Sequence, residues 1–153
     1  MTMIKATPSG PVEMTPQEEQ EWLDSIFDPE KDNLIRRVYE KFISELYKDF
    51  STIDSNSVAA TIQFRNQEDR ANIESVAIEA LLFSSDPEKI IKFRNKENTD
   101  SEFTPSDFLV MASDLKRLKR LVMETYWTKK AEIRSLTSHD EIQSYDIDSG
   151  WPA

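Results

Sequence analysis

The chain contains no cysteine. That removes disulfides, thiolate zinc sites, iron–sulfur clusters and cysteine nucleophiles together. Glycine occurs twice, at Gly10 and Gly150, both near the ends. No segment between them can supply the glycine-rich loop that cradles a nucleotide phosphate, of either the Walker or the dinucleotide type. His139 is the only imidazole, so a metal would have to be held by carboxylates. No apolar run approaches the roughly 20 residues that a membrane-spanning helix needs. The first residues, Met1 to Lys5, carry no apolar core of signal-peptide length. The expectation is a soluble protein made in a reducing cytoplasm.

What is present fits a packed domain. The 153 residues suffice for one domain, or one domain with an extension. A chain of this length buries about 68–70% of its unfolded surface. Eight Phe, four Tyr and three Trp argue for a core rather than full disorder. Asp and Glu number 29 against 19 Lys and Arg, for a net charge of −10.

Along the chain, residues 1–14 show no periodic pattern and read as a flexible arm. Residues 15–57 read as an N-terminal helical unit. Thr15-Pro16-Gln17-Glu18 is a capping box with proline at the first helical position. It opens a helix to about Phe27 with Trp22, Leu23, Ile26 and Phe27 on one face. Asp28-Pro29-Glu30 reads as a second cap, opening a helix to about Asp49 with Leu34, Ile35, Val38, Phe42, Leu46 and Phe50 at helical spacing. Ser51 to Ser57 is polar and linker-like. Residues 58–153 then read as an α+β domain. Val58 to Phe64 alternates as a strand does. Asn66 caps a helix whose buried stripe is Ala71, Ile73, Val76, Ala77, Ala80 and Leu81. Ile90–Phe93 and Ser101–Phe103 form a hairpin. Thr104-Pro105-Ser106-Asp107 caps the longest helix, about residues 105–136, with Phe108, Met111, Leu115, Leu118, Val122, Tyr126 and Ile133 at near-heptad steps. Ser138-His139-Asp140-Glu141 caps a short last helix. The expected fold is mainly α with a small antiparallel β element: an N-terminal helix pair, then a β-α-β-β-α-α unit.

Charge is unevenly spread. Residues 1–57 hold six basic against twelve acidic residues, whereas residues 105–136 hold seven basic against four acidic. The long helix is thus a basic rod in an acidic protein. Its Lys116-Arg117-x-Lys119-Arg120 run, interleaved with leucines, reads as the wet face of an amphipathic helix rather than a phosphate stripe. A pI near 4.6 opposes nucleic-acid binding, whose affinity rests on phosphate neutralisation. His139 sits in a helix cap with no partner acid or nucleophile nominated beside it. Asp146-Ile147-Asp148 and Glu18–Glu21 lack the glycine and terminal glutamate of a calcium loop. No catalytic, cofactor or metal residue is nominated, and no cofactor is expected. The long helix spans roughly 45 Å, and its stripe calls for an oligomer or a partner protein along it. Trp22, Leu118, Val122, Tyr126, Trp127, Trp151 and Pro152 are the candidate interface residues, since aromatic anchors favour interfaces.

Six pieces in order carry a family resemblance. They are Phe64 to Ile73, Ile91-Lys92-Phe93-Arg94 with Glu97-Asn98, Phe103 to Phe108, Lys129 to Ile133, Thr137-Ser138 with Glu141-Ile142, and Gly150-Trp151-Pro152. Residues 58–152 resemble a domain of unassigned function in tailed-phage tail proteins, often encoded near tail-fibre genes. Some members are described as tail-fibre assembly or tail assembly chaperones. The resemblance implies a non-enzymatic bacteriophage tail protein acting through protein–protein contact. Its partner would be a tail or tail-fibre protein, met in the host cytoplasm during assembly or in the virion. Neither nucleic acid, membrane nor small-molecule substrate is expected. The alternative is a small acidic regulator or inhibitor that binds a basic host protein surface.

Overall fold

The structure, a computed structural model, describes residues 3–7 and 10–153. The fold is α+β and mainly helical, with three separate antiparallel strand pairs among the described residues. The chain divides into two compact units: residues 1–41 with 126–149, and residues 42–125 with 150–153.

In the first unit, β1 (Ile4–Thr7) pairs with β2 (Gly10–Glu13), Ile4 lying opposite Glu13 and Thr7 opposite Gly10. The patternless arm expected over residues 1–14 is therefore a hairpin where the structure describes it; residues 1, 2, 8 and 9 lie outside the described residues. The ladder is closed by local bonds rather than by an apolar face. The Thr7 hydroxyl donates to the Gly10 carbonyl at 2.6 Å, the Met14 amide donates to the Met3 carbonyl at 2.9 Å, and Gly10 takes a φ of +112°, open to glycine.

The two expected N-terminal helices are one, α1 (Pro16–Leu46). Thr15 and Glu18 cap it reciprocally: the Glu18 amide donates to Thr15 Oγ1 at 3.3 Å, and the Thr15 amide to Glu18 Oε2 at 3.0 Å. Asp28-Pro29-Glu30 does not start a second helix, because Pro29 sits inside the first. Interior proline removes one backbone bond and costs about 3 kcal/mol. Ser25, whose carbonyl loses its partner, is exposed and can be hydrated there. The burial of Leu34 and Val38 further along the same helix offsets the rest. The remainder of this unit is the last part of α3 (Pro105–Ser135) and α4 (His139–Ser144), which bury Ile133 and Ile142.

In the second unit, β3 (Phe50–Ile53) pairs with β4 (Ala59–Ile62). The Ser51–Ser57 stretch is thus half strand and half turn, not a linker. Its turn is built by Asp54, whose Oδ1 accepts the amides of Asn56 and Val58, both at 2.9 Å. Next comes α2 (Gln67–Leu82), capped by Asn66, whose side chain accepts the Asp69 amide. Then β5 (Ile91–Arg94) pairs with β6 (Asp100–Phe103). The tight turn between them is held by the buried Asn95, which donates to Ser101 Oγ at 3.0 Å and accepts the Thr99 amide at 3.0 Å. Ile62, Phe64, Ile73, Ala80, Ile91, Phe103, Phe108, Met111 and Leu115 form the core of this unit. Phe103 meets Phe108 edge-on at 5.6 Å, a geometry that adds to area burial.

Candidate functional site

The end of α2 carries the clearest apolar surface. Ile73 and Ala80 are buried, with Val76 and Ala77 partly so; these lie at i, i+3, i+4 and i+7 and define the inner face. Leu81, expected on that stripe, falls one step around the helix and faces outward, as does Ala71. Ile78, Leu81 and Leu82 recur at i, i+3 and i+4 on the exposed side, and Leu82 is 75% exposed. Phe83 closes the helix and is also exposed. The following loop folds back on it: Lys89 Nζ lies 2.7 Å from the Glu79 carboxylate and 4.6 Å from the Phe83 ring centroid. Exposed Ile90 follows Lys89 in the chain. Contiguous apolar surface of this kind marks interaction sites in soluble proteins.

A second feature is a cavity of about 220 Å³ in the same unit, lined by Phe50, Leu118, Lys119, Val122 and Pro152 among others. Lys119 is 7% exposed. Its ammonium donates to the Lys48 carbonyl at 2.6 Å and to the Glu45 carbonyl at 3.5 Å, and lies 4.8 Å from the Phe64 ring centroid. The Glu45 carbonyl belongs to the last turn of α1 and the Lys48 carbonyl lies two residues past its end, a place where acceptors lack helical partners and cations are favourable. Burial pushes the Lys119 amine down to about 8, against the pull of the Asp49 and Glu45 carboxylates. Asp49 is held below the usual carboxylate range first by its bond from Lys96, at 2.9 Å. Lys119 is thus held at the end of α1 by backbone carbonyls.

The candidate interface residues fall into three groups. Leu118, Val122 and Pro152 come together around the cavity, and Val122, at 2% exposure, is a buried wall of it. Tyr126 is half-buried and meets Tyr39 edge-on at 5.9 Å; Trp151 is also half-buried. Trp22, at 42%, and Trp127, at 58%, are exposed. Of the long-helix stripe, Phe108, Met111, Leu115, Val122 and Ile133 are buried within the chain, and Leu118 and Tyr126 are half-buried.

Two lysines in that seam escaped periodicity. Lys119 and Lys129 are both buried, and Lys129 Nζ donates to the Asp146 carbonyl at 3.0 Å. Their positions, three residues before Val122 and four before Ile133, are the signal that could have found them. His139 is exposed at the first residue of α4, its Nδ1 3.1 Å from both Glu30 carboxylate oxygens. Among the described residues, no three acidic or imidazole side chains gather as a metal site would require, and no described helix is long and apolar enough to cross a membrane.

No curated protein and no solved structure matches the chain. A family model described as a domain of unknown function, DUF4376, matches residues 30–149, well over half of the sequence, starting within α1 and ending beyond α4. The chain belongs to the DUF4376 family.

Proposed function

We propose that this protein is a non-enzymatic bacteriophage tail protein that works by protein–protein contact, either as a tail-fibre or tail assembly chaperone or as a small structural part of the tail. The observation that carries the contact role is the exposed apolar end of α2, formed by Ile78, Leu81, Leu82 and Phe83. An assembly chaperone masks apolar surface on a client that folds slowly, as intertwined β fibres do. The net charge of −10 would keep such a pair soluble. The tail assignment is supported by the resemblance over residues 58–152. The place of action is then the host cytoplasm during assembly, with retention in the virion if the protein is a structural part.

Peptide mass spectrometry of purified phage particles and of infected-cell lysate tests this reading. Stoichiometric peptides in particles identify a structural part. Peptides in lysate alone, in complex with a tail or tail-fibre protein, identify a chaperone. Peptides found in lysate without any tail protein attached contradict the proposal.

A further inference from the structure

We propose that Lys119 is a capture site for a small apolar aldehyde, its amine forming a reversible imine with an aldehyde seated in the cavity beside it. Lys119 is a buried lysine without a counter-ion. It is 7% exposed, and among the described residues no carboxylate pairs with it. The nearby Asp49 and Glu45 carboxylates act on it only from a distance; they are engaged by Lys96 and Lys48. Its nitrogen donates instead to two backbone carbonyls, of Lys48 and Glu45. An ammonium has three N–H donors and no lone pair, whereas a neutral amine has two donors and one lone pair. Two acceptors therefore use both donors of the neutral form and leave its lone pair unassigned. A buried charge without a partner is costly, so burial moves lysine towards the neutral, nucleophilic form. The Phe64 ring favours the cation, but burial outweighs it.

The cavity supplies the room. Lys119 lines it, and so do Glu45 and Lys48, whose carbonyls hold the amine. The nitrogen therefore stands at the cavity wall. Phe50, Leu118, Val122 and Pro152 make the apolar part of the lining. At about 220 Å³ the space falls below the roughly 300 Å³ at which pockets for drug-sized ligands begin. An aldehyde of a few carbons suits both the size and the walls. In the step, the Lys119 Nζ lone pair adds to the aldehyde carbon, and the aldehyde oxygen becomes a hydroxyl by gaining the proton that the nitrogen loses. The carbinolamine then loses water, which leaves a carbon–nitrogen double bond to Lys119. One water is released, nothing is oxidised or reduced, and hydrolysis reverses the step. The inference concerns a different place from the end of α2 and does not depend on the tail assignment.

Reductive trapping of the full chain tests it. Butanal and sodium cyanoborohydride are added at neutral pH in limiting amount, and peptide mass spectrometry reads the fraction alkylated at each of the eleven lysines. Lys119 should label about tenfold more than exposed Lys116, because more of it is neutral. Lys129, equally buried but not part of the cavity lining, should stay unlabelled. In unfolding guanidinium chloride the eleven lysines should label alike. Raising the pH past about 8 should shrink the preference, since Lys119 is then already neutral while ordinary lysines are still becoming so. A Leu118→Trp variant fills the cavity and leaves Lys119 in place; with wild-type helicity by circular dichroism, it should lose the preference. Lys119 labelling no more than Lys116 in the folded wild type overturns the proposal. So does Lys129 labelling as readily as Lys119, or a folded Leu118→Trp variant that keeps the wild-type preference.

Discussion

Lys119 shows how a single residue can be misread by pattern and understood by geometry. Periodicity treats lysine as solvent-facing, yet its stem is long enough to lie along an apolar seam while its head reaches polar groups. Here the head caps the end of α1. The sign of its effect on stability follows. Its amine is pushed from 10.5 down to about 8. Between those values the unfolded chain holds a proton that the folded chain has released, so stability rises with pH across that window. Urea midpoints should therefore favour the wild type over Lys119→Met increasingly from about pH 8 to 10; parallel pH profiles would contradict this. Tyr145 acts the opposite way only at higher pH, since burial and its bond to Glu132 push its phenol up. Burial sorts the other side chains. Phe103→Ala should cost about 3–5 kcal/mol in urea unfolding. Leu81→Ala, on the outer face, should stay within about 0.5 kcal/mol; a larger loss would mean that Leu81 is not a surface residue.

At the scale of elements, cap chemistry was readable and chain continuation was not. Asn66, Thr104 and Ser138 each accept the amide three residues on, a pattern that sequence alone announces. Pro29 misled because Asp-Pro-Glu is the residue set of a helix start; what decides against one is the apolar stripe further along, which makes a single long helix the better solution. Strand β3 was hidden because its inner face offers only Phe50 and Thr52, too little alternation to register. The N-terminal hairpin was hidden because Pro11 and Gly10 read as arm residues. Two tests belong here. Asn66→Ala should destabilise by about 1 kcal/mol, whereas Asn66→Asp should be close to neutral. Pro29→Ala should restore a backbone bond and slow amide exchange across the first half of α1. Unchanged exchange would show that this half is not limited by the proline.

At the scale of the whole molecule, the sequence displayed the charge asymmetry but not where apolar surface would remain. The acidic N-terminal stretch and the basic long helix can be counted residue by residue. The apolar end of α2 could not, since Leu81 and Leu82 look like core residues until the helix phase is fixed by Ile73 and Ala80. Of the seven residues singled out for interfaces, Trp22 and Trp127 are exposed, while Val122 is enclosed. The proposed contact with a tail protein through the end of α2 is most directly tested by size-exclusion of lysate from phage-infected cells producing this chain, comparing wild type with a Leu81→Asp, Leu82→Asp variant. The expected result is that the wild-type chain co-elutes with a tail or tail-fibre protein, and that the folded variant does not. A wild-type chain that elutes free of any tail protein, or a folded variant that still co-elutes as the wild type does, would contradict it.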